Sequence, residues 1–160
     1  MDRRTFVAAA ASGLCTVPLP TRAQPAGKVV RVGLLSSAVM RTDAEFRQSN
    51  WALAMRELGW VEGRNILYER RASNGRPELL PELARELVRA DVDVIATFSN
   101  PDTQAAKQAT SVIPIVMIFT GLDPVAEGFV GSFAKPGGNV TGVSRMLAET
   151  DAKRLSLLKE

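Results

Sequence analysis

The residues placed to do chemistry are few, small and polar. Ser36 and Ser37 follow one apolar run, Ser99 and Asn100 follow a second, and Thr120 and Asp123 follow a third. Hydroxyls and backbone N–H groups at a helix start suit an anionic group such as a ligand carboxylate. A carboxylate at a strand end, such as Asp123, suits a ligand amine. Each has a plainer reading as well. Ser36-Ser37 reads as a polar turn, Asn100 as a helix N-cap, and Asp123 before Pro124 as a turn. What the chain lacks narrows the chemistry further. Its 160 residues include no histidine and one cysteine. That excludes Ser-His-Asp and Cys-His nucleophile systems and any His-ligated zinc. A single cysteine forms no internal disulfide and no Cys-rich metal site. The glycines of Pro136-Gly137-Gly138-Asn139-Val140-Thr141-Gly142 match neither the Walker nor the dinucleotide fingerprint. No metal and no cofactor is expected.

The elements that must position these residues follow from hydrophobic patterning. Val29–Leu35, Asn65–Arg70, Val92–Phe98, Ile113–Phe119 and Val140–Val143 read as strands. The continuous apolar character of 113–119 suits burial on both faces, as in a parallel sheet. Thr42 and Glu45 form a capping box that opens a helix running to Leu58, and Gly59 closes it. Trp51 is read as packing that helix and Trp60 as closing its end. Pro77 opens a helix with Leu80, Leu83, Ala84 and Leu87 on one face. Asn100 as N-cap and Pro101 as first helical residue open another, through about Ser111. Glu127–Phe133 reads as a short helix, and a final helix begins near Glu149. Asp43 and Glu45 are explained by pairing with the helix dipole. Strands alternating with helices at this spacing give an α/β fold, a doubly wound parallel sheet with right-handed crossovers. Ligands bind such sheets at the carboxyl ends of the strands, which is where the six polar residues fall.

Residues 1–26 have the layout of an export signal. Arg3 and Arg4 precede an apolar run from Phe6 to Val17, and Thr21-Arg22-Ala23 offers a small-residue cleavage site. The arginine pair with Phe6 resembles the twin-arginine motif, with the general secretory route as the alternative. The run is shorter than the roughly 20 residues needed to span a bilayer. Cys15, preceded by Leu14, is read as filler within the signal and not as a lipid anchor. Removing residues 1–23 takes away Arg3, Arg4, Arg22 and Asp2. The 20 basic and 17 acidic residues become 17 and 16, and the net charge falls from +3 to +1. Nucleic-acid binding is not expected at that charge.

Several segments together carry a family resemblance. They are Glu57–Ile66 (ELGWVEGRNI), Leu83–Val88 (LARELV) leading to Val92–Ile95 (VDVI), and Ala105–Thr110 (AAKQAT) leading to Ile113–Val116 (IPIV). Asp123–Val125 (DPV), Lys135–Val143 (KPGGNVTGV) and 153–160 (KRLSLLKE) complete the set. The chain resembles ABC transporter substrate-binding proteins of the tryptophan/tyrosine type over residues 29–160. The resemblance implies a periplasmic-binding-protein-like (type I) fold, with two lobes that close on a ligand. Family members are roughly twice this length. The expected division is an export signal over 1–26, an N-terminal α/β ligand-binding lobe over 28–148, and over 149–160 the start of a crossover helix toward a second lobe absent from this chain. One lobe presents half a cleft, and weaker affinity is expected of it alone.

The expected function is that of a periplasmic, non-enzymatic solute-binding component of an ABC importer. It would capture a small amino-acid-like solute, aromatic by the family label, and deliver it to a permease with a separate ATPase. Contact with the membrane would be through the permease alone. Ser36, Ser37, Ser99, Asn100, Thr120 and Asp123 would line this lobe's half of the cleft. The alternatives are an α/β enzyme, hydrolase or reductase, and a ligand-sensing domain of a regulator.

Overall fold

A computed structural model describes residues 28–144. The expected export signal and the expected final helix lie outside the described residues. Five strands form one sheet: β1 Val30–Ser36, β2 Ile66–Ala72, β3 Val94–Thr97, β4 Ile115–Thr120 and β5 Val140–Ser144. Every pairing is parallel, and the strand order is β2-β1-β3-β4-β5. The chain runs outward from β1 to β2 and then returns past β1 to β3. The order reverses between β1 and β3, and a crevice opens there at the carboxyl ends.

Helices cover both faces. α3 (Leu80–Arg89) and α4 (Asn100–Ala109) pack on one. Leu80, Ala84, Leu87, Ala105 and Ala106 bury themselves there against Leu35, Ile95, Ile115, Met117 and Val140. The spacing of Leu80, Ala84 and Leu87 puts three apolar side chains on one helical stripe, and all three are buried. On the opposite face lie α1 (Asp43–Arg47) and α2 (Asn50–Glu57). Phe46, Trp51, Ala52 and Met55 meet Val32, Leu34, Ile66 and Ala96 there. The doubly wound reading holds.

Four local expectations need correction. The helix expected from Thr42 to Leu58 is two helices. Thr42 and Glu45 do form the capping box, but Ser49 starts a second helix. Its hydroxyl donates to Phe46 O at 2.6 Å and accepts from Ala52 N at 3.3 Å. This self-contained cap lets the chain turn so that Phe46 and Trp51 both reach the sheet. Pro77 opens a 3-10 turn, Pro77–Leu79, ahead of α3. Residues 127–133 are not helical. Phe129 and Val130 both donate to Pro124 O, and Gly128 has φ +67°. A left-handed residue there breaks the helical path, and the resulting turns bury Phe129 and Val130. The fourth correction concerns β4. Ile115 and Met117 are buried, but Val116 and Ile118 are partly covered and Phe119 is 38% exposed. Burial on both faces is therefore incomplete among the described residues.

Candidate functional site

The loop after β1 is fixed by the loop after β2. Ser73, fully buried, donates its N–H to Ser36 O at 2.9 Å, and Gly75 donates to Ser37 O at 2.9 Å. Asn74 and Gly75 both have positive φ, +53° and +80°. That left-handed pair turns the chain back toward β1, and Asn74 Oδ1 accepts from Met40 N at 2.7 Å. The Ser36–Met40 segment is thereby held across the carboxyl end of the sheet.

Opposite it, α4 starts at the end of β3. The N-cap is Ser99, not Asn100 as expected. Ser99 has extended backbone angles, and its hydroxyl accepts from Asp102 N at 3.4 Å. Asn100 is the first helical residue, which frees its side chain. Asn100 Oδ1 accepts from Thr120 Oγ1 at 2.6 Å, tying α4 to the end of β4. Asn100 Nδ2 is buried with no hydrogen-bond partner.

The switch point therefore brings together residues far apart in sequence. Ser37 Oγ and Ser99 Oγ lie 3.3 Å apart. Asn100 and Thr120 join them through the helix start. Ser36 stays local, its hydroxyl accepting from Ala38 N at 3.1 Å. Asp123 Oδ1 accepts from Val125 N at 2.9 Å, the side-chain-to-backbone bond of an Asx turn. Asp43 forms an ion pair with Arg70, and Glu45 serves the cap. Asn139 holds the loop before β4, donating to Thr110 O at 3.1 Å and Ile113 O at 2.8 Å.

Beside Ser36 lies a groove of about 260 Å³ walled by Met40, Phe46, Trp51, Arg70 and Phe98. Trp51 meets Phe98 edge-on at 6.0 Å, and Phe46 meets Tyr68 at 5.0 Å. Arg70 sits 4.6 Å above the Phe46 ring, a cation–π contact that holds its guanidinium at the groove edge. Ser36 and Phe98 in the wall directly precede the paired Ser37 and Ser99. Among the described residues no cluster of His, Cys, Asp or Glu could hold a metal ion. Nor is any helix there long and apolar enough to cross a membrane.

One residue of the site escaped the sequence reading. Asp102 is fully buried beneath the serine pair. Its Oδ2 accepts from Phe98 N at 3.3 Å, while Oδ1 makes no hydrogen bond of normal geometry. An aspartate in the first turn of a helix reads as a complement to the dipole, so nothing marked it as buried. Burial pushes its carboxyl above the usual value of 3.8, against the opposing pull of the Ser99 and Ser37 hydroxyls and the Phe98 and Ser37 N–H groups. The folded protein then holds this proton more tightly than the unfolded chain. The resulting stability is full below pH 3.8 and is lost as pH rises through the raised folded pKa. Asp102→Asn is expected to abolish that decline and to be more stable than wild type at neutral pH. Urea unfolding at about pH 4 and about pH 7 checks this, and an unchanged decline in the variant would refute it.

Residues 48–160 match the family model described as ABC transporter substrate binding protein. A curated relative, a tyrosine-binding protein of Clostridioides difficile (strain R20291), is 35% identical over 126 residues, 78% of this chain and 35% of that protein. Among solved structures, the chain is similar to a ligand-free, open substrate-binding protein with adhesive properties from Clostridium difficile. The TM-score is 0.63 at 29% identity, covering 72% of this chain and 39% of the other. It is also similar to an ABC domain from Streptococcus pneumonia in complex with L-Trp, with a TM-score of 0.62 at 25% identity, covering 72% and 38%. A conserved domain protein of Vibrio cholerae gives a TM-score of 0.64 at 30% identity, covering 73% and 39%. The chain thus spans little more than a third of the length of these proteins.

Proposed function

The chain belongs to the ABC transporter substrate-binding protein family, and from that premise we propose that it supplies one wall of a cleft capturing an aromatic amino acid. The observation that carries this reading is the convergence of Ser37, Ser99, Asn100 and Thr120 at the switch point, with the Ser37 and Ser99 hydroxyls 3.3 Å apart. Asn100 Nδ2, a buried donor without a partner, is left for a ligand oxygen. An unsatisfied buried donor costs stability until such an oxygen arrives. The aromatic groove beside Ser36 offers a ring-shaped side chain an apolar seat. Relatives named for tyrosine binding and solved with L-Trp support the same solute class. Asp123, in its turn at the end of β4, would stand at the rim.

In this proposal the protein works outside the cytoplasm, carried there by residues 1–26. It binds its solute without transforming it and presents it to a permease powered by a separate ATPase. Binding needs no metal or cofactor. The test is a 15N NMR titration of the chain with L-tyrosine and L-tryptophan. Saturable shifts are expected at Ser37, Ser99, Asn100 and Thr120, and Ser37→Ala is expected to weaken binding roughly tenfold, the size of one lost hydrogen bond to a charged group. Shifts confined to other surfaces, or none at all, would overturn the reading.

A further inference from the structure

Resting on that ligand-binding reading, we infer that Arg70 sets the specificity of the groove: its free guanidinium N–H groups hold a hydroxyl at the far edge of the solute's ring, so that a phenolic amino acid is taken in preference to a phenyl or indole one.

Three arginines line the groove. Arg71 is engaged with Glu86 at 2.7 Å and Glu69 at 3.6 Å, and Arg41 is exposed. Arg70 is the one held against the apolar wall. Its guanidinium carbon lies 4.6 Å from the Phe46 ring centre, Nη1 donates to Arg41 O at 3.1 Å, and Nη2 is bonded to Asp43. The side chain is only 18% exposed. A guanidinium carries five N–H donors and no acceptor. Two are spent on those bonds, while Nε is neither bonded to the protein nor shut off from solvent. The group is thus fixed before a solute arrives, which lowers the ordering cost of binding. Asp43 already supplies its counter-charge, so what it still lacks is a hydrogen-bond acceptor, and a neutral oxygen suffices.

The sheet sets the distance. Ser37 and Ser99 follow the ends of β1 and β3. Arg70, on β2, is opposite Leu34 of β1, and Leu34 is opposite Ala96 of β3. Strands lie about 4.8 Å apart, so Arg70 stands about 10 Å from β3 across the sheet. A solute with its α-groups at the serine pair lays its ring along Leu34 and Phe46 and brings its far edge to Arg70. The groove of about 260 Å³ exceeds the roughly 150 Å³ cavity that holds benzene, so size admits phenyl, phenol and indole alike. Arg70 separates them. A phenol oxygen accepts a hydrogen bond, an indole N–H only donates, and a phenyl ring does neither. The last two displace water from Arg70 and leave charged donors unpaired, which costs affinity.

The test compares three probes on the full chain by NMR titration: L-tyrosine, L-phenylalanine and L-tryptophan, with the 15N signal of Arg70 Nε followed alongside. Wild type is expected to bind tyrosine at least about tenfold more tightly than the other two, with the Nε signal moving as tyrosine binds. Arg70→Met, which keeps an apolar stem and loses the donors, is expected to erase that preference. Arg70→Lys, which restores a cationic donor without the fork, is expected to recover part of it. A wild type that binds phenylalanine as tightly as tyrosine would overturn the inference and leave the ligand-binding reading intact. So would an Arg70→Met variant that keeps the full preference, since the hydroxyl would then be held elsewhere. Loss of all three probes in both variants would make Arg70 merely structural and overturn the inference. No binding of any probe by wild type would overturn both.

Discussion

Replacing Gly142 with alanine is expected to destabilise the protein by about 3 kcal/mol and to release β5 from the sheet. Gly142 pairs with Met117 in the β4–β5 ladder. A Cβ at position 142 would stand 2.1 Å from Met117 O and 2.6 Å from Met117 N. Both atoms are backbone, so no rotamer change relieves the clash, and one strand must move. The residue also has φ +141°, where an L side chain adds strain of its own. The ladder already shifts register between Met117 and Thr120. The close approach at Gly142 belongs to that irregularity, which brings Thr120 opposite Ser144. Loss of β5 would therefore loosen Thr120, the partner of Asn100. Urea unfolding with hydrogen exchange of 115–120 reads both effects. A variant within about 1 kcal/mol of wild type, with unchanged protection, would refute this packing.

Leu87→Ala is expected to cost about 3 kcal/mol, within the usual range for a fully buried leucine. Leu87 is completely buried in the cluster beneath α3. Its two methyl carbons would lie 3.2 Å from a Cβ on Gly33, the β1 residue below it. Gly33 is thus a glycine because α3 sits close on β1, and leucine fills the space a side chain would take. The pair should behave as a unit. Gly33→Ala alone crowds Leu87 and is expected to destabilise, while in the Leu87→Ala background the added methyl occupies part of the cavity. A double-mutant cycle should return a favourable coupling of about 1 kcal/mol. Strict additivity of the two changes would show that the residues do not share this space.

Much of the architecture was legible because it rests on short-range patterning. Val29–Leu35 and Val92–Phe98 are runs rich in β-branched residues, each followed by a serine, and both form strands within one or two residues of the expected limits. Thr42 and Glu45 satisfy backbone N–H groups through their own side chains, so the cap needs no distant partner. Where the reading failed, a contact from elsewhere decided. Ser49 sits inside an amphipathic run and looks like a surface helix residue. The sheet needs both Phe46 and Trp51, and a break in the helix at Ser49 delivers them. Ser99 and Asn100 are equally good caps in sequence. Thr120, twenty residues on, draws the Asn100 side chain to itself and leaves the cap to Ser99. Residues 127–133 read as a short helix, but the backbone N–H groups of Phe129 and Val130 find Pro124 O instead.

By itself the sequence determined the order of elements, the parallel sense of the sheet and the strand ends where a ligand would sit. Each follows from local periodicity, capping and the handedness of crossovers. Only the tertiary structure decided which polar residues meet. The reversal of strand order between β1 and β3 brings Ser37 to Ser99 across 62 residues of chain. It also buries Asp102 behind them. The upward shift of its carboxyl comes from that burial, a property no window of sequence contains.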